Sequence, residues 1–186
     1  MAGALILCTA CSGPLELDLR LAACKGDLNR VSKLLERGAN VNATGVQGDS
    51  AITSVESCTR HGELTQSRAQ LIELLIAKGA AVNHQDYEGR TALMYAAENG
   101  DTLAVSALLR NGASVNLSDN DGETALMKAA ASSCTEATVS ALLRAGADLS
   151  ARDHEGRNAL DSFRTSYACP DSKVGELLQM EIHNGK

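Results

Sequence analysis

Apolar residues recur along this chain in a fixed order. Val105 is followed by the pair Leu108-Leu109, and Val139 by Leu142-Leu143. Spacings of three and four put each set on one helical face, so each predicts an amphipathic helix. Each leucine pair runs into Gly-Ala, at Gly38-Ala39, Gly79-Ala80, Gly112-Ala113 and Gly146-Ala147, with separations of 41, 33 and 34 residues. The glycine supplies the left-handed C-cap that ends the helix. A second glycine marker, Gly48, Gly89, Gly122 and Gly156, moves with the same separations. Two independent markers in lockstep predict a chain of repeated helical units.

The units align residue by residue. Tyr87-Glu-Gly-Arg-Thr-Ala-Leu-Met-Tyr-Ala-Ala runs against Asn120-Asp-Gly-Glu-Thr-Ala-Leu-Met-Lys-Ala-Ala130 without a gap. The valine before an asparagine recurs at Val41-Asn42, Val82-Asn83 and Val115-Asn116. This pattern resembles the ankyrin repeat over roughly residues 15–182. The resemblance implies an all-α fold, an ankyrin-repeat solenoid of helix-turn-helix units joined by β-turn or hairpin loops. Two departures stand out: Ala92 and Ala125 replace the usual proline, and Met94 and Met127 the usual histidine. A rigid first-turn proline is lost, and Thr91 or Thr124 is left to order the helix start.

On this reading residues 1–14 form a signal-like or disordered segment and residues 15–186 the repeat domain. Its units span approximately 15–45, 46–86, 87–119, 120–153 and 154–184. The end units depart from the pattern, as caps must when they meet solvent and not a neighbour. The second unit is eight residues longer than the standard, and Val55-Glu56 stands in place of its Ala-Ala pair. The extra length is expected between its helices, within residues 59–69, as a surface loop or an added binding element. The fourth unit carries one extra residue near Ser132-Ser133-Cys134, and the fifth a longer connection over residues 165–171.

Composition narrows the function. With no Trp, one Phe and three Tyr, the core must be built from aliphatic residues, which suits close helix packing better than an aromatic-lined pocket. A net charge of -6 and the lack of a basic stripe argue against nucleic acid. No phosphate-binding glycine loop, nucleophile elbow or His-Glu-x-x-His motif occurs. Cys8-x-x-Cys11 and Cys58-x-x-His61 have metal-ligand spacing, but nothing forces them together. No catalytic residue, metal or cofactor is therefore expected.

The amino terminus raises the question of compartment. Residues 2–10 are an apolar run that, with Thr9-Ala10 before Cys11, resembles the end of a bacterial lipoprotein signal in which Cys11 would carry lipid. A helix turn covering the first repeat is the other reading. The remaining cysteines fall into two pairs, Cys24 with Cys58 and Cys134 with Cys169, each spanning adjacent units. In an exported protein they would form disulfides; in a cytosolic one they would be small reduced hydrophobes. The two compartments implied are the bacterial periplasm or a lipid anchor on its membrane, and the cytoplasm. Any membrane contact would run through the N-terminal lipid alone.

Ankyrin stacks hold proteins on the concave face formed by the turn tips and helix A. Carried over to this chain, that points to Tyr87, Arg90, Met94, Tyr95, Asp119, Asp121, Glu123, Met127, Lys128 and His154. Tyr87, Tyr95, Met94 and Met127 are the expected anchors. The tips hold more acids than bases, so a partner with a basic face is expected, bound by a monomer.

Overall fold

A computed structural model describes residues 13–58, 65–166 and 173–184. They form ten helices: α1 (Pro14–Cys24), α2 (Leu28–Glu36), α3 (Ala51–Ser57), α4 (Thr65–Ala77), α5 (Ala92–Asn99), α6 (Thr102–Arg110), α7 (Ala125–Lys128), α8 (Glu136–Arg144), α9 (Ala159–Thr165) and α10 (Val174–Asn184). The described residues contain no strand beyond an isolated bridge between Ser118 and Thr124. This is an all-α repeat solenoid. Odd-numbered helices stack on one another in one layer and even-numbered helices in a second.

The layers approach closely because the facing residues are small. Ala22, Ala23, Ala96, Ala97, Ala129 and Ala130 are buried along the odd-numbered layer. Larger aliphatics, Val31, Leu71, Ile72, Leu75, Val105, Leu108, Val139 and Leu142, fill the space between layers. The core is continuous from Leu19 to Leu178. Thr91 and Thr124 accept the N–H of Met94 (3.3 Å) and Met127 (3.4 Å), capping α5 and α7. Asp27 and Asp101 do the same for α2 and α6.

The irregular units absorb their extra residues in ways the sequence pattern does not disclose. Helix α4 has 13 residues where α2, α6 and α8 have nine, so part of the second unit's insertion extends a helix and is not loop. That extension carries Arg68 into the interior. The fourth unit's extra residue becomes a π-helical turn, Ala129–Ser133, the usual form of a one-residue insertion in a helix. It ends on Cys134, whose φ of 46° takes the left-handed position that Gly100 occupies one unit earlier.

Cys24 and Cys58 are paired, their Cα atoms 5.4 Å apart, joining the ends of α1 and α3. Cys134 is described; Cys11, His61 and Cys169 lie outside the described residues. Among the described residues no helix is long and apolar enough to cross a membrane.

Candidate partner-binding face

Turns precede α3, α5, α7 and α9, and three of them share one construction. Asp86 donates its N–H to the Arg90 carbonyl (3.1 Å), while its Oδ1 accepts the N–H of Glu88 (3.0 Å) and Arg90 (2.9 Å). Asp119 and Asp153 repeat this with residues two and four further on. In the second unit Gly45 stands in the aspartate's place. A Cβ there would lie 2.3 Å from the carboxylate of Asp49, which swings across to pair with Arg20 of α1 at 3.1 Å.

The turns are tied to one another. Tyr87 donates its N–H to the Gln47 carbonyl (3.0 Å), Asn120 to Glu88 (2.9 Å) and His154 to Asp121 (2.9 Å). Beneath them runs a second ladder of asparagines. The Asn42 amide donates to the Gly79 carbonyl (2.8 Å) and accepts from the Ala81 N–H (2.8 Å). Asn83 does the same with Gly112 and Ser114, and Asn116 with Gly146 and Asp148. These asparagines are structural, and the tips form one strip with a fixed register.

The structure distributes the predicted contact residues unevenly. Met94 and Met127 are corrections: both are 1% exposed. They belong to the continuous core, where a long apolar side chain removes more surface from water than it would on the face. They are core residues and cannot anchor a partner. Asp119 is buried too, and serves its own turn.

Four further residues are held by partners inside the chain. Lys128 contacts Asp119 (2.9 Å) and Glu123. Burial lowers its ammonium pKa, but the hydrogen bonds to Glu123 and Asp119 outweigh that and hold it above the ordinary lysine value. Arg90 pairs with Glu98 and stacks 4.1 Å over the ring of Tyr95. Tyr95 donates its hydroxyl to Asp86 at 2.7 Å. Burial first, and that bond second, push its phenol well above the usual tyrosine range, so it stays neutral.

Tyr87, Asp121 and His154 remain exposed at the turn apices. Tyr87, Arg90, Asp119, Asp121 and Lys128 line one open cleft between the third and fourth tips, about 410 Å3 in volume, together with Glu88 and Asn120. Glu88 and Asn120 lie on the turn tips that the repeat assigns, Glu88 among the acids that predict a basic partner, but neither was singled out as a contact residue, nor was Val46, the second-unit equivalent of Tyr87. Aligning Val46-Gln47-Gly48 on Tyr87-Glu88-Gly89 is the signal that finds the valine.

The comparison with known proteins decides the family. A family model described as ankyrin repeats (3 copies) matches residues 19–119 and 63–153. The chain belongs to the ankyrin repeat family. Its ankyrin stack is similar to part of two plant proteins. One is a probable E3 ubiquitin-protein ligase, XBOS33, of Oryza sativa subsp. japonica, 38% identical over 89 residues. The other is the E3 ubiquitin-protein ligase XBAT33 of Arabidopsis thaliana, 37% identical over 89 residues. Each match covers 47% of this chain and 16% of the relative. Ankyrin repeats mark the chain as a protein–protein interaction module, a class that is typically non-catalytic.

Proposed function

We propose that this ankyrin stack, as a monomer, captures a protein partner on its concave face, through the turn tips and helix A, without catalysing a reaction. The observation that carries this is the tip ladder. Backbone bonds from Tyr87, Asn120 and His154 fix four turns in one register and leave the apical side chains pointing away from the core. A surface ordered before binding loses less conformational entropy on association. The test is amide hydrogen exchange of the full chain in complex with an affinity-captured partner. New protection over residues 84–90, 117–123 and 152–157 supports the reading. Protection confined to α2, α4, α6 and α8 overturns it.

Two relatives carry the name of ubiquitin ligases, but with 16% of their length shared, ubiquitin transfer is not proposed for this chain. Location in a bacterial envelope, with lipid on Cys11, is a separate part of the proposal and rests on the cysteines. The approach of Cys24 and Cys58 supports it, because such pairs persist as disulfides in oxidising compartments. Intact mass under non-reducing conditions, on protein from its native source, tests it. Free thiols at Cys24, Cys58, Cys134 and Cys169 with an unmodified Cys11 would favour the alternative instead, a cytosolic ankyrin adaptor or inhibitor.

A further inference from the structure

Two groups of side chains on the tips make no side-chain hydrogen bond or ion pair among the described residues. Val46 and Tyr87 sit at successive apices, 89% and 69% exposed. Their tips are joined by the bond from the Tyr87 N–H to Gln47, and the Tyr87 ring lies against Gly48. They are the two most exposed large apolar side chains among the described residues, and nothing in the turn construction requires either. The second group is acidic. Glu88 and Asp121 stand on opposite walls of the cleft between the third and fourth tips, and among the described residues neither enters an ion pair.

The cations nearby are already engaged. Arg90 is turned to Glu98, Lys128 to Asp119 and Glu123, and Arg157 to Asp153 and Glu155. The uncompensated field over the cleft is therefore negative, beside an aromatic edge and an aliphatic one. Bonds from the Asn120 N–H to Glu88 (2.9 Å) and from its side chain to the Tyr87 carbonyl (2.8 Å) hold the two walls in register.

We propose that the second, third and fourth tips together dock a protein segment that carries an apolar residue next to an arginine or lysine. The apolar residue rests on Val46 and the ring of Tyr87, and the cation enters the cleft to face Glu88 and Asp121. This rests on the concave-face reading above and names the chemistry it selects. Arginine suits the site better than lysine, since its planar guanidinium can stack on Tyr87 while its N–H groups reach carboxylates on both sides. Because the acids are exposed, complementary charge acts mainly on association rate and specificity and weakens with salt. A polyanion is repelled by the same field.

The experiment pans a phage-displayed random peptide library on the full chain at low salt, then measures enriched synthetic peptides by fluorescence polarisation. Enriched sequences are expected to share an arginine or lysine beside a leucine or aromatic residue. Glu88→Gln/Asp121→Asn and Val46→Ser/Tyr87→Ser are each expected to weaken such a peptide tenfold or more. The first pair should also flatten its salt dependence, while Glu176→Gln, on α10, changes nothing. All four altered tip side chains lie outside the core, so circular dichroism should match the parent. Enriched peptides without basic residues, or affinities within twofold in both double variants, overturn the proposal. If those same peptides still protect tip amides from exchange, capture on the concave face survives. Protection only on the opposite face removes both readings.

Discussion

Glu56 occupies the place that Ala23, Ala97 and Ala130 hold in other helix pairs, and it is as buried as they are. A carboxylate can stand there because the insertion brings a cation with it. Arg68 lies 3.8 Å from Glu56 and 3.5 Å from Asp101, and Asn99 donates its side-chain amide to the Glu56 carbonyl at 2.9 Å. Burial, then the neighbouring charge of Asp101, raise the Glu56 pKa from 4.5 to about 7, against the opposing pull of Arg68 and Asn99. The folded chain thus binds this proton more tightly than the unfolded chain. The linked stability is fully present below pH 4.5 and is lost as pH rises through 7. Glu56→Gln keeps the shape and removes the titration. Urea unfolding should show the variant gaining about 2–3 kcal/mol on the parent between pH 5 and pH 8; parallel stabilities at the two values would contradict the assignment. The sequence exposed the anomaly, Val-Glu for Ala-Ala, but not its answer. Arg68 lay in a stretch with no counterpart in the other units, so the repeat offered no position from which to infer its direction. Met94 and Met127 were misplaced for a related reason: a departure from the family's residue suggests variation on the surface, whereas the site had become core.

At the scale of the element, the repeat made each helix legible through its end signals, while accommodation of extra residues was not. One residue too many near Cys134 could have bulged as a loop; the chain instead widened α7 into a π turn and closed it with a left-handed cysteine. That choice depends on the packing of Ala129 and Ala130, which fixes the start of the turn in three dimensions and leaves only its end free to adjust. A similar tertiary demand sets Gly175 in the first turn of α10. A Cβ at that position would lie 2.5 Å from the ring of Phe163, so the glycine is there for space and not for φ. Intrinsic propensity favours alanine in a helix by about 1 kcal/mol, but forcing a methyl into this contact costs about 1–3 kcal/mol. Gly175→Ala should therefore lower the urea midpoint, and adding Phe163→Leu should restore most of the loss. A rise in midpoint for the single variant would show that α10 shifts freely, and that the end of the stack is less tightly docked than its geometry implies.

Across the whole molecule, a solenoid has contacts only between neighbouring units, so its stability is close to a sum of units and interfaces. The pairing of Cys24 with Cys58 acts on one such interface, the first, where among the described residues α1 has a stacked neighbour on one side only. The other strong tie there is Arg20 to Asp49, made possible because Gly45 vacates the turn's aspartate position. Closed as a disulfide, the pair would join the first unit to the second near one end of α1, and the ion pair ties them further along it. Closing a loop with a sequence separation of 34 residues removes unfolded-state entropy worth about 3–4 kcal/mol. In a globular core that loss would spread over the molecule. Here it should stay local. Cys24→Ser/Cys58→Ser should lose amide protection in α1 and α2 by that order of magnitude while α6 and α8 keep theirs, read by native-state hydrogen exchange. The tip cleft between the third and fourth units should then bind its peptide with unchanged affinity, because no described contact carries the first interface to it except through α3 and α5. Uniform loss of protection along the stack would mean that the units fold as one cooperative block, with the first interface as its nucleus.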